Sequence, residues 1–286
     1  RRIMRNDFIA FILTHGRPDK QVTLQSLKRH GYTGDICMLI DNEDKKGNEY
    51  KKKYGDIVRV FDKKAISKTF DEYDTFNNRK AIVYARNACW QIAREMGKKY
   101  FIQLDDDYTC FSYKCDEKCN YVDLLNIKNL DAVFNSMIEF LDRTQAATIC
   151  MSQGGDFLGG KNGGSTKIMK LARKAMNTFV CDADRPFQFL GRINEDVNTY
   201  VLHGGRGMLF LTVPNIGITQ MTTQKNKGGM TDIYLDNGTY VKSFYTVLSC
   251  PSCVKIAIMQ SKNRRIHHSI KWNNAVPRII SQEYKK

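Results

Sequence analysis

The stretch Phe101-Ile-Gln-Leu-Asp-Asp-Asp-Tyr108 joins a short, mostly apolar segment to three consecutive carboxylates. The apolar residues predict a buried strand, and open α/β sheets bind ligands beyond the carboxyl ends of their strands. Three adjacent carboxylates repel one another and need a cation to neutralise them. The stretch therefore predicts either a metal site that holds a nucleotide diphosphate or a solvated acidic turn.

The first and third carboxylates, Asp105 and Asp107, form a D-x-D pattern around Asp106. Alternate residues of an extended backbone point to the same side, so the outer two can address one site. Their oxygens suit Mg²⁺ or Mn²⁺, which take further oxygens from substrate phosphates. A metal bound there would stabilise the charge that develops when a diphosphate leaves.

The sequence on the amino-terminal side of this stretch alternates between strand and helix patterns. Gly31 and Gly97 mark two helix ends. This β-α-β order predicts an α/β fold with a mostly parallel, Rossmann-like central sheet flanked by helices. The predicted strands span residues 7–13, 35–40, 57–61 and 100–104, and the helices span residues 19–30, 43–54 and 80–96.

The carboxyl-terminal part of the chain mixes strand and helix patterns, and no break in composition marks a domain boundary. We therefore expect one domain over residues 1–286. Strands are predicted at 146–152, 178–181 and 207–213, and helices at 130–142, 167–176, from Glu195 to about 205, and 240–248. Residues 62–78 and 220–231 are predicted loops, 110–120 an insertion, and the segment after 248 a basic tail.

Several polar side chains are predicted close to the acidic stretch. His15 and Arg17 follow the first strand, and Asp41 ends the second. Arg79 and Arg86 lie seven residues apart before the acidic strand, which puts them on one face of the predicted helix. A guanidinium matches phosphate oxygens well. Each residue alone is typical of a surface, but together they favour a nucleotide site.

Glu195-Asp196 is a second acidic pair, at the start of a predicted helix. A carboxylate there can accept a proton from an attacking hydroxyl, or simply complement the helix dipole. His267-His268 either supplies a further metal ligand or is exposed. Cys250-Pro-Ser-Cys253 has the spacing of half a zinc site, with Cys110, Cys115 and Cys119 as distant candidates.

The chain is strongly basic, with 45 Lys and Arg against 30 Asp and Glu and a net charge of +15. Such a surface attracts nucleic acid or an anionic membrane, unless the charge serves solubility alone. No apolar run reaches the length of a membrane span, and no signal peptide is visible. The nine Cys residues form no regular framework, so we expect reduced thiols and a cytoplasmic protein without a membrane partner.

Six stretches stand out together along the chain: Phe11-Ile-Leu-Thr-His-Gly-Arg-Pro18, Tyr32-Thr-Gly34 running to Asp41, Val83-Tyr-Ala-Arg-Asn87, Leu104-Asp-Asp-Asp-Tyr108, Asn194-Glu-Asp196 and His267-His268 with Trp272. Their combination and order resemble the glycosyltransferase-A fold and, more specifically, the TET-associated glycosyltransferase family of phages. The resemblance implies a nucleotide-sugar-binding half over residues 1–109 and a mixed acceptor-binding half with a basic tail over residues 110–286.

The resemblance also implies an activity. The implied enzyme is a metal-dependent hexosyltransferase that moves a sugar from a nucleotide sugar, expected to be a UDP-sugar, to 5-hydroxymethylcytosine in DNA. The reaction would take place in the cytoplasm of a phage-infected host. On the donor side, the resemblance implies that Thr14, Arg17 and Asp41 hold the nucleoside and that Arg86 contacts the diphosphate or the sugar. Asp105 and Asp107 would contact the ribose and Mn²⁺ or Mg²⁺, with a further metal ligand from His267 or His268. Asp196 would be the catalytic base or the group that orients the acceptor.

The net charge of +15 agrees with a DNA acceptor. A base in a duplex must be exposed or flipped, and the loop over residues 220–231 is our candidate for that task. The predicted DNA track is Lys225, Lys227, Arg264, Arg265 and Lys271. Three other interpretations stay open: a glycosyltransferase acting on a protein or surface glycan, a zinc-stapled nucleic-acid-binding domain without enzymatic activity, and a nucleotidyltransferase, whose chemistry also uses two carboxylates and a metal.

Overall fold

The structure is a computed structural model that describes residues 3–157, 160–162, 171–221, 240–259 and 264–285. These residues form an α/β fold with a nine-stranded and a two-stranded sheet. The strands are β1 (Phe8–Leu13), β2 (Asp35–Asp41), β3 (Val58–Phe61), β4 (Tyr100–Asp105), β5 (Tyr108–Cys115), β6 (Tyr121–Asn126), β7 (Ala146–Ser152), β8 (Phe179–Asp182), β9 (Leu209–Gln220), β10 (Val254–Met259) and β11 (Arg265–Ile270). The helices are α1 (Val22–Arg29), α2 (Gly47–Tyr54), α3 (Lys63–Ser67), α4 (Val83–Glu95), α5 (Leu130–Arg143), α6 (Glu195–Gly205), α7 (Tyr240–Ser249) and α8 (Trp272–Ala275).

The large sheet has the strand order β3-β2-β1-β4-β8-β7-β9-β5-β6. Its first four strands are parallel, as the alternating β-α-β pattern predicted. Strand β8 is antiparallel to β4. Strands β7 and β9 are parallel to each other, and β5 pairs in antiparallel fashion with both β9 and β6. The predicted α/β fold with a mixed second half is confirmed.

The parallel strands bring the candidate site residues to one edge of the sheet. In the register of β1 and β4, Leu13 pairs with Asp105, and in that of β1 and β2, Leu13 pairs with Leu39. The segment after β1 therefore lies between Asp41 and the acidic turn. This is the carboxyl edge, where α/β sheets bind ligands.

The sheet separates two apolar layers, and β1 contributes to both because its side chains alternate. Phe11 packs with Phe101 and α4 on one face, whereas Phe8 packs with Phe134 of α5 on the other. All six residues of β1 are buried. A strand covered on both faces reads as a continuous apolar run, which explains why this element was recognisable from sequence.

The structure corrects several predicted elements. Residues 110–120 are not an insertion, because most of them belong to the hairpin of β5 and β6. Lys114 in this hairpin lies over the ring of Phe157. The basic tail contains a second hairpin, β10 with β11. The loop over residues 62–78 contains α3. Of the helix predicted at 167–176, residues 171–176 are not helical, and 167–170 lie outside the described residues.

Helix α6 is important for the site because it begins at Glu195. Its Tyr200 ring stacks on Trp272 of α8, with ring centroids 5.8 Å apart. At Gly204 the two elements are so close that an added Cβ would lie 2.0 Å from the backbone oxygen of Ala275. The carboxyl-terminal segment thus fixes the position of α6. None of the helices in the described ranges is long and apolar enough to cross a membrane.

We predict that Gly204→Ala lowers the free energy of unfolding by about 1–3 kcal/mol, because the backbone of Ala275 must move away. Gly47→Ala is the matched control, since a Cβ there makes only an ordinary 3.7 Å contact with Ile40. Its effect should stay within about 1 kcal/mol. Denaturant unfolding of both variants measures the difference. Equal stabilities would contradict the close approach of α6 and α8.

Candidate active site

The side chain of Arg86 lies at the centre of the site and is only 1% exposed. Its Nη2 donates to Asp105 Oδ1 at 3.1 Å, and its Nε donates to Glu195 Oε1 at 3.1 Å. The guanidinium carbon also lies 5.1 Å from the ring centroid of Phe179. One cation on α4 therefore joins the end of β4 to the start of α6.

The burial of these charges changes their pKa values. Burial raises the pKa of Asp105 to about 6, although the charge of Arg86 opposes the rise. Burial and the neighbouring Asp196 raise the pKa of Glu195. Burial would lower the pKa of Arg86, but the charges of Asp105 and Glu195 outweigh it and raise that pKa. The guanidinium stays charged, while the carboxyl groups titrate closer to neutral pH than usual.

Asp106 points into the protein and is 3% exposed. Its Oδ2 accepts a hydrogen bond from Thr14 Oγ1 at 2.6 Å, and its Oδ1 lies 3.2 Å from Arg17 Nη1. Because the Thr14 proton goes to Asp106, the hydroxyl of Tyr50, 2.9 Å away, donates to Thr14. Protein partners thus occupy Asp106 and organise the loop that follows β1.

Helix α1 holds the acidic turn in place through Thr23. The hydroxyl of Thr23 donates to the carbonyl of Asp105 and accepts from the N–H of Tyr108 at 2.9 Å. The N–H of Thr23 donates to the carbonyl of Asp106 at 3.1 Å. The backbone of the turn is therefore fixed from outside, so the three residues that carry the carboxylates cannot move apart to relieve their repulsion.

Asp107 is the member of the trio whose carboxylate has no side-chain partner among the described residues and accepts a hydrogen bond from its own N–H. Burial, followed by the charges of Asp105 and Asp106, raises its pKa to about 7. A half-buried carboxylate beside another carboxylate fits a divalent cation, which would favour the charged form. Asp105 and Asp107 thus fit the metal, although no group of three or more His, Cys, Asp or Glu ligands occurs in the described ranges.

Asp41 lies at the same edge and is 5% exposed. Its Oδ2 lies 2.7 Å from His15 Nδ1 and 3.2 Å from Lys63 Nζ, and its Oδ1 accepts from the N–H of Glu43. Burial would raise the pKa of Asp41, but the hydrogen bond of His15 and the charge of Lys63 lower it. Asp41 therefore orients His15, whose side chain is 48% exposed and accessible to a ligand.

Arg79 does not share a helix face with Arg86, so that prediction is wrong. Helix α4 begins at Val83, and Arg79 precedes it. The guanidinium of Arg79 instead pairs with Glu43 at 2.6 Å near the surface. Sequence reasoning also missed the buried Lys63, because it lies in a polar stretch without periodicity.

The backbone before Glu195 places the second acidic pair. Asn194 adopts a left-handed conformation with φ of 58°, and its amide donates to the carbonyl of Lys242 at 2.6 Å. Burial raises the pKa of Asp196, against the opposing effects of the Val197 N–H, Arg86 and Lys242. One oxygen of Asp196 accepts from that N–H at 2.8 Å, and no described residue engages the other.

The remaining predicted residues lie farther along the chain. His267 and His268 lie on β11, and the structure does not gather them with carboxylates into a group of three or more ligands within the described ranges. Arg264, Arg265 and Lys271 are exposed, whereas Lys225, Lys227 and residues 222–231 of the candidate flipping loop lie outside the described residues. The thiols of Cys250 and Cys253 are free and belong to no such group either, within the described part of the chain.

A family model described as TET-Associated Glycosyltransferase matches residues 8–229, which include β1 to β9, the acidic turn and Glu195-Asp196. No curated protein matches the sequence. Among solved structures, the chain is similar to a candidate nucleotide-diphospho-sugar transferase from Desulfovibrio desulfuricans G20. That similarity has a TM-score of 0.42 at 10% identity and covers 87% of this chain and 96% of the other.

We predict that Arg86→Met lowers the free energy of unfolding by about 3–5 kcal/mol, because two buried carboxylates lose their shared cation. Adding Glu195→Gln to Arg86→Met should restore part of the loss. Arg143→Met is the matched control, since Arg143 is 76% exposed in its pair with Glu139 and should contribute less than about 1 kcal/mol. Equal losses from Arg86→Met and Arg143→Met in denaturant unfolding would contradict the bridging role.

The pKa of Asp107, about 7 against an ordinary 3.8, has a consequence for stability. The folded state binds this proton more tightly than the unfolded state, so the stabilisation is complete below about pH 4 and is lost as the pH rises through about 7. In chelator, Asp107→Asn should therefore lose less stability than the wild type over that range.

Thermal unfolding at several pH values measures this difference. Asp184→Asn is the control, because Asp184 is exposed and lies at the opposite edge of the sheet from Asp107. The preceding residue, Ala183, donates its N–H to the carbonyl of Lys99 at that edge. Its curve should run parallel to that of the wild type. A parallel curve for Asp107→Asn as well would rule out the raised pKa.

Proposed function

Because the chain belongs to the TET-associated glycosyltransferase family, we propose that it transfers a sugar from a UDP-sugar to 5-hydroxymethylcytosine in DNA. The observation that carries the proposal is the carboxylate of Asp107, which has no side-chain partner among the described residues and lies at the sheet edge where Arg86 joins Asp105 to Glu195. This arrangement suits a metal-bound diphosphate on one side and a proton acceptor on the other. We place the reaction in the cytoplasm of a phage-infected cell.

The donor is assigned to residues 1–109, where the loop after β1 meets the acidic turn. In the proposal, Thr14, His15 and Arg17 lie along the nucleotide, and Arg17 supplies positive charge because its side chain is 28% exposed while it holds Asp106. Asp105 and Asp107 would hold Mn²⁺ or Mg²⁺. When bound, the ion would stabilise the negative charge of the leaving diphosphate.

The acceptor is assigned to residues 110–286, with Asp196 as the general base. As the hydroxymethyl oxygen bonds to the anomeric carbon and the bond from that carbon to the diphosphate breaks, the hydroxyl proton passes to Asp196. The raised pKa of Asp196 suits this role, because a base works best when its pKa lies near the operating pH. Glu195 holds Arg86 at 3.1 Å and thereby positions its neighbour.

The charge of the chain favours DNA over a neutral glycan as the acceptor. The net charge is +15, and Arg264, Arg265 and Lys271 are exposed on and beside the hairpin of β10 and β11. Basic side chains of this kind neutralise backbone phosphates. Lys225 and Lys227 stay part of the proposed DNA track as a prediction from sequence.

A donor screen tests the proposal. The protein is incubated with hydroxymethylated DNA, Mn²⁺ and a panel of nucleotide sugars, and the nucleosides are then weighed by mass spectrometry. We expect a mass gain of one hexose with a UDP-sugar. Asp196→Asn should lower kcat by about 10²–10⁴-fold through loss of the base. Asp105→Asn and Asp107→Asn should weaken the dependence of donor binding on Mn²⁺.

Asp184→Asn is the control and should keep full activity, since its exposed side chain lies at the opposite edge of the sheet. No mass gain with any donor would contradict the proposal. Transfer to a glycan but not to hydroxymethylated DNA would keep the glycosyltransferase and remove the DNA acceptor.

A further inference from the structure

A group of basic side chains, the basic cluster, lies on three elements that meet beside α6. Its members are Lys174 on the segment before β8, Lys242 on α7, and Arg265, His267 and His268 on β11. Only Arg265, His267 and His268 were noted from sequence as site or DNA residues. Apart from the effect of Lys242 on the pKa of Asp196, the donor site and the proton transfer described above do not use the side chains of this cluster.

Hydrogen bonds from side chains to backbone carbonyls hold these elements against the acidic pair. The side-chain amide of Asn194, directly before Glu195, donates to the carbonyl of Lys242 at 2.6 Å. The hydroxyl of Ser243 donates to the carbonyl of Ile266 at 2.9 Å, which joins α7 to β11. The basic cluster is therefore adjacent to the amino end of α6.

The third element, the segment that carries Lys174, is hydrogen-bonded to the large sheet and also lies close to the two imidazoles. The hydroxyl of Thr212 on β9 donates to the carbonyl of Lys174 at 2.6 Å. The charge of Lys174 acts on both His267 and His268, whose ring centroids are 4.2 Å apart. Lys174 and Lys242 thus approach the imidazole pair from separate elements.

The two imidazoles are partly buried beside these cationic side chains. Burial lowers the pKa of His268 to about 3, and the charges of His267, Lys242 and Lys174 contribute. Burial, then Arg265 and the two lysines, lowers the pKa of His267. The Nδ1 atom of His268 is buried and has no hydrogen-bond partner among the described residues. Lysine and arginine side chains donate the charge-assisted hydrogen bonds that bind phosphate oxygens, and Nδ1 of His268 donates a further one when it carries the ring proton.

We propose that the basic cluster binds the phosphodiester group next to the acceptor nucleotide, and this inference rests on the proposed function. The position favours the acceptor over the donor, because the carbonyl of Lys242 accepts from Asn194, directly before Glu195, whereas Arg17 on the donor side lies 3.2 Å from Asp106. A DNA phosphate near Glu195 and Asp196 meets repulsion from both carboxylates. The basic cluster offsets that repulsion and lets the hydroxymethyl group of the acceptor nucleotide reach Asp196.

The test compares two double variants that remove the same amount of positive charge. Lys174→Gln/Lys242→Gln removes two cations of the cluster. Lys28→Gln/Lys128→Gln removes two exposed lysines on either side of Gly31, near the amino end of β2 and far from the site. For each protein, binding of a short single-stranded oligonucleotide with one 5-hydroxymethylcytosine is measured at several salt concentrations, and binding of UDP with Mn²⁺ is measured in parallel.

We expect Lys174→Gln/Lys242→Gln to weaken oligonucleotide binding and to reduce the slope of log K against log salt by about 0.7 for each phosphate that the protein no longer neutralises. UDP binding should stay unchanged, and Lys28→Gln/Lys128→Gln should behave like the wild type. Weaker UDP binding with unchanged oligonucleotide binding would overturn the inference, because the cluster would then serve the donor. Unchanged binding of both ligands would overturn it as well.

His268 gives a second test that does not depend on net charge. His268→Phe removes the nitrogen, whereas His268→Asn keeps a polar amide near the position of Nδ1. We expect His268→Phe to weaken oligonucleotide binding, His268→Asn to retain most of it, and Mn²⁺ affinity to stay the same in both. A loss of Mn²⁺ affinity without a loss of oligonucleotide binding would make His268 a metal ligand and overturn the inference.

The wild-type measurements separate the two levels of the proposal. If the wild type transfers sugar to the oligonucleotide while the cluster variants bind it normally, only the phosphate site is wrong. If the wild type neither binds nor modifies the oligonucleotide, the DNA acceptor fails, and this inference fails with it. Thermal unfolding of each variant establishes that the compared proteins are folded.

Discussion

The buried guanidinium of Arg86 is the constraint on which the site depends. Removing such a charge from water costs several kcal/mol even after relaxation, so the fold must supply anions at hydrogen-bond distance. It does so from two directions, with Asp105 at the end of β4 and Glu195 at the start of α6, each at 3.1 Å. These residues are ninety positions apart in sequence. Satisfying one cation therefore fixes the distance between the carboxylates of the donor side and those of the acceptor side.

The same logic divides the three carboxylates of the turn. Asp106 is neutralised by Arg17 and Thr14, and Asp105 shares Arg86 with Glu195. Asp107 has no such partner in the described part of the chain, and its pKa of about 7 reflects that position. Protein side chains thus pair with Asp106 and Asp105, and Asp107 is left as the carboxylate that we propose for a ligand. An acidic turn in solvent would not need Thr23 to fix its backbone from α1.

The elements that could be predicted from sequence are strands buried on both faces, because the residues of such a strand form a continuous apolar run. Strands β1, β2, β4 and β7 are apolar runs, and the carboxyl edge follows from their parallel order. Strands β5 and β10 were missed because polar residues interrupt them, such as the half-buried Lys114 and the exposed Lys255, so neither reads as an apolar run. In the site, the acidic residues were visible as motifs. Two of their partners were not, because Lys63 on Asp41 and Lys242 near Asp196 become neighbours only through tertiary contacts.

Both proposed substrates are polyanions, and this sets a physical problem that the distribution of charges addresses. A nucleotide sugar and a DNA strand must come within bonding distance, with Asp196 between them as an anion when it acts as a base. Arg17 serves the donor side, Arg86 separates Asp105 from Glu195, and Lys242 acts on Asp196. Positive charge therefore alternates with negative charge across the sheet edge. A cation at Asp107 would continue that alternation on the proposed donor side, as the basic cluster would on the proposed acceptor side, so one electrostatic requirement would account for Asp107 and for the lysines around His268.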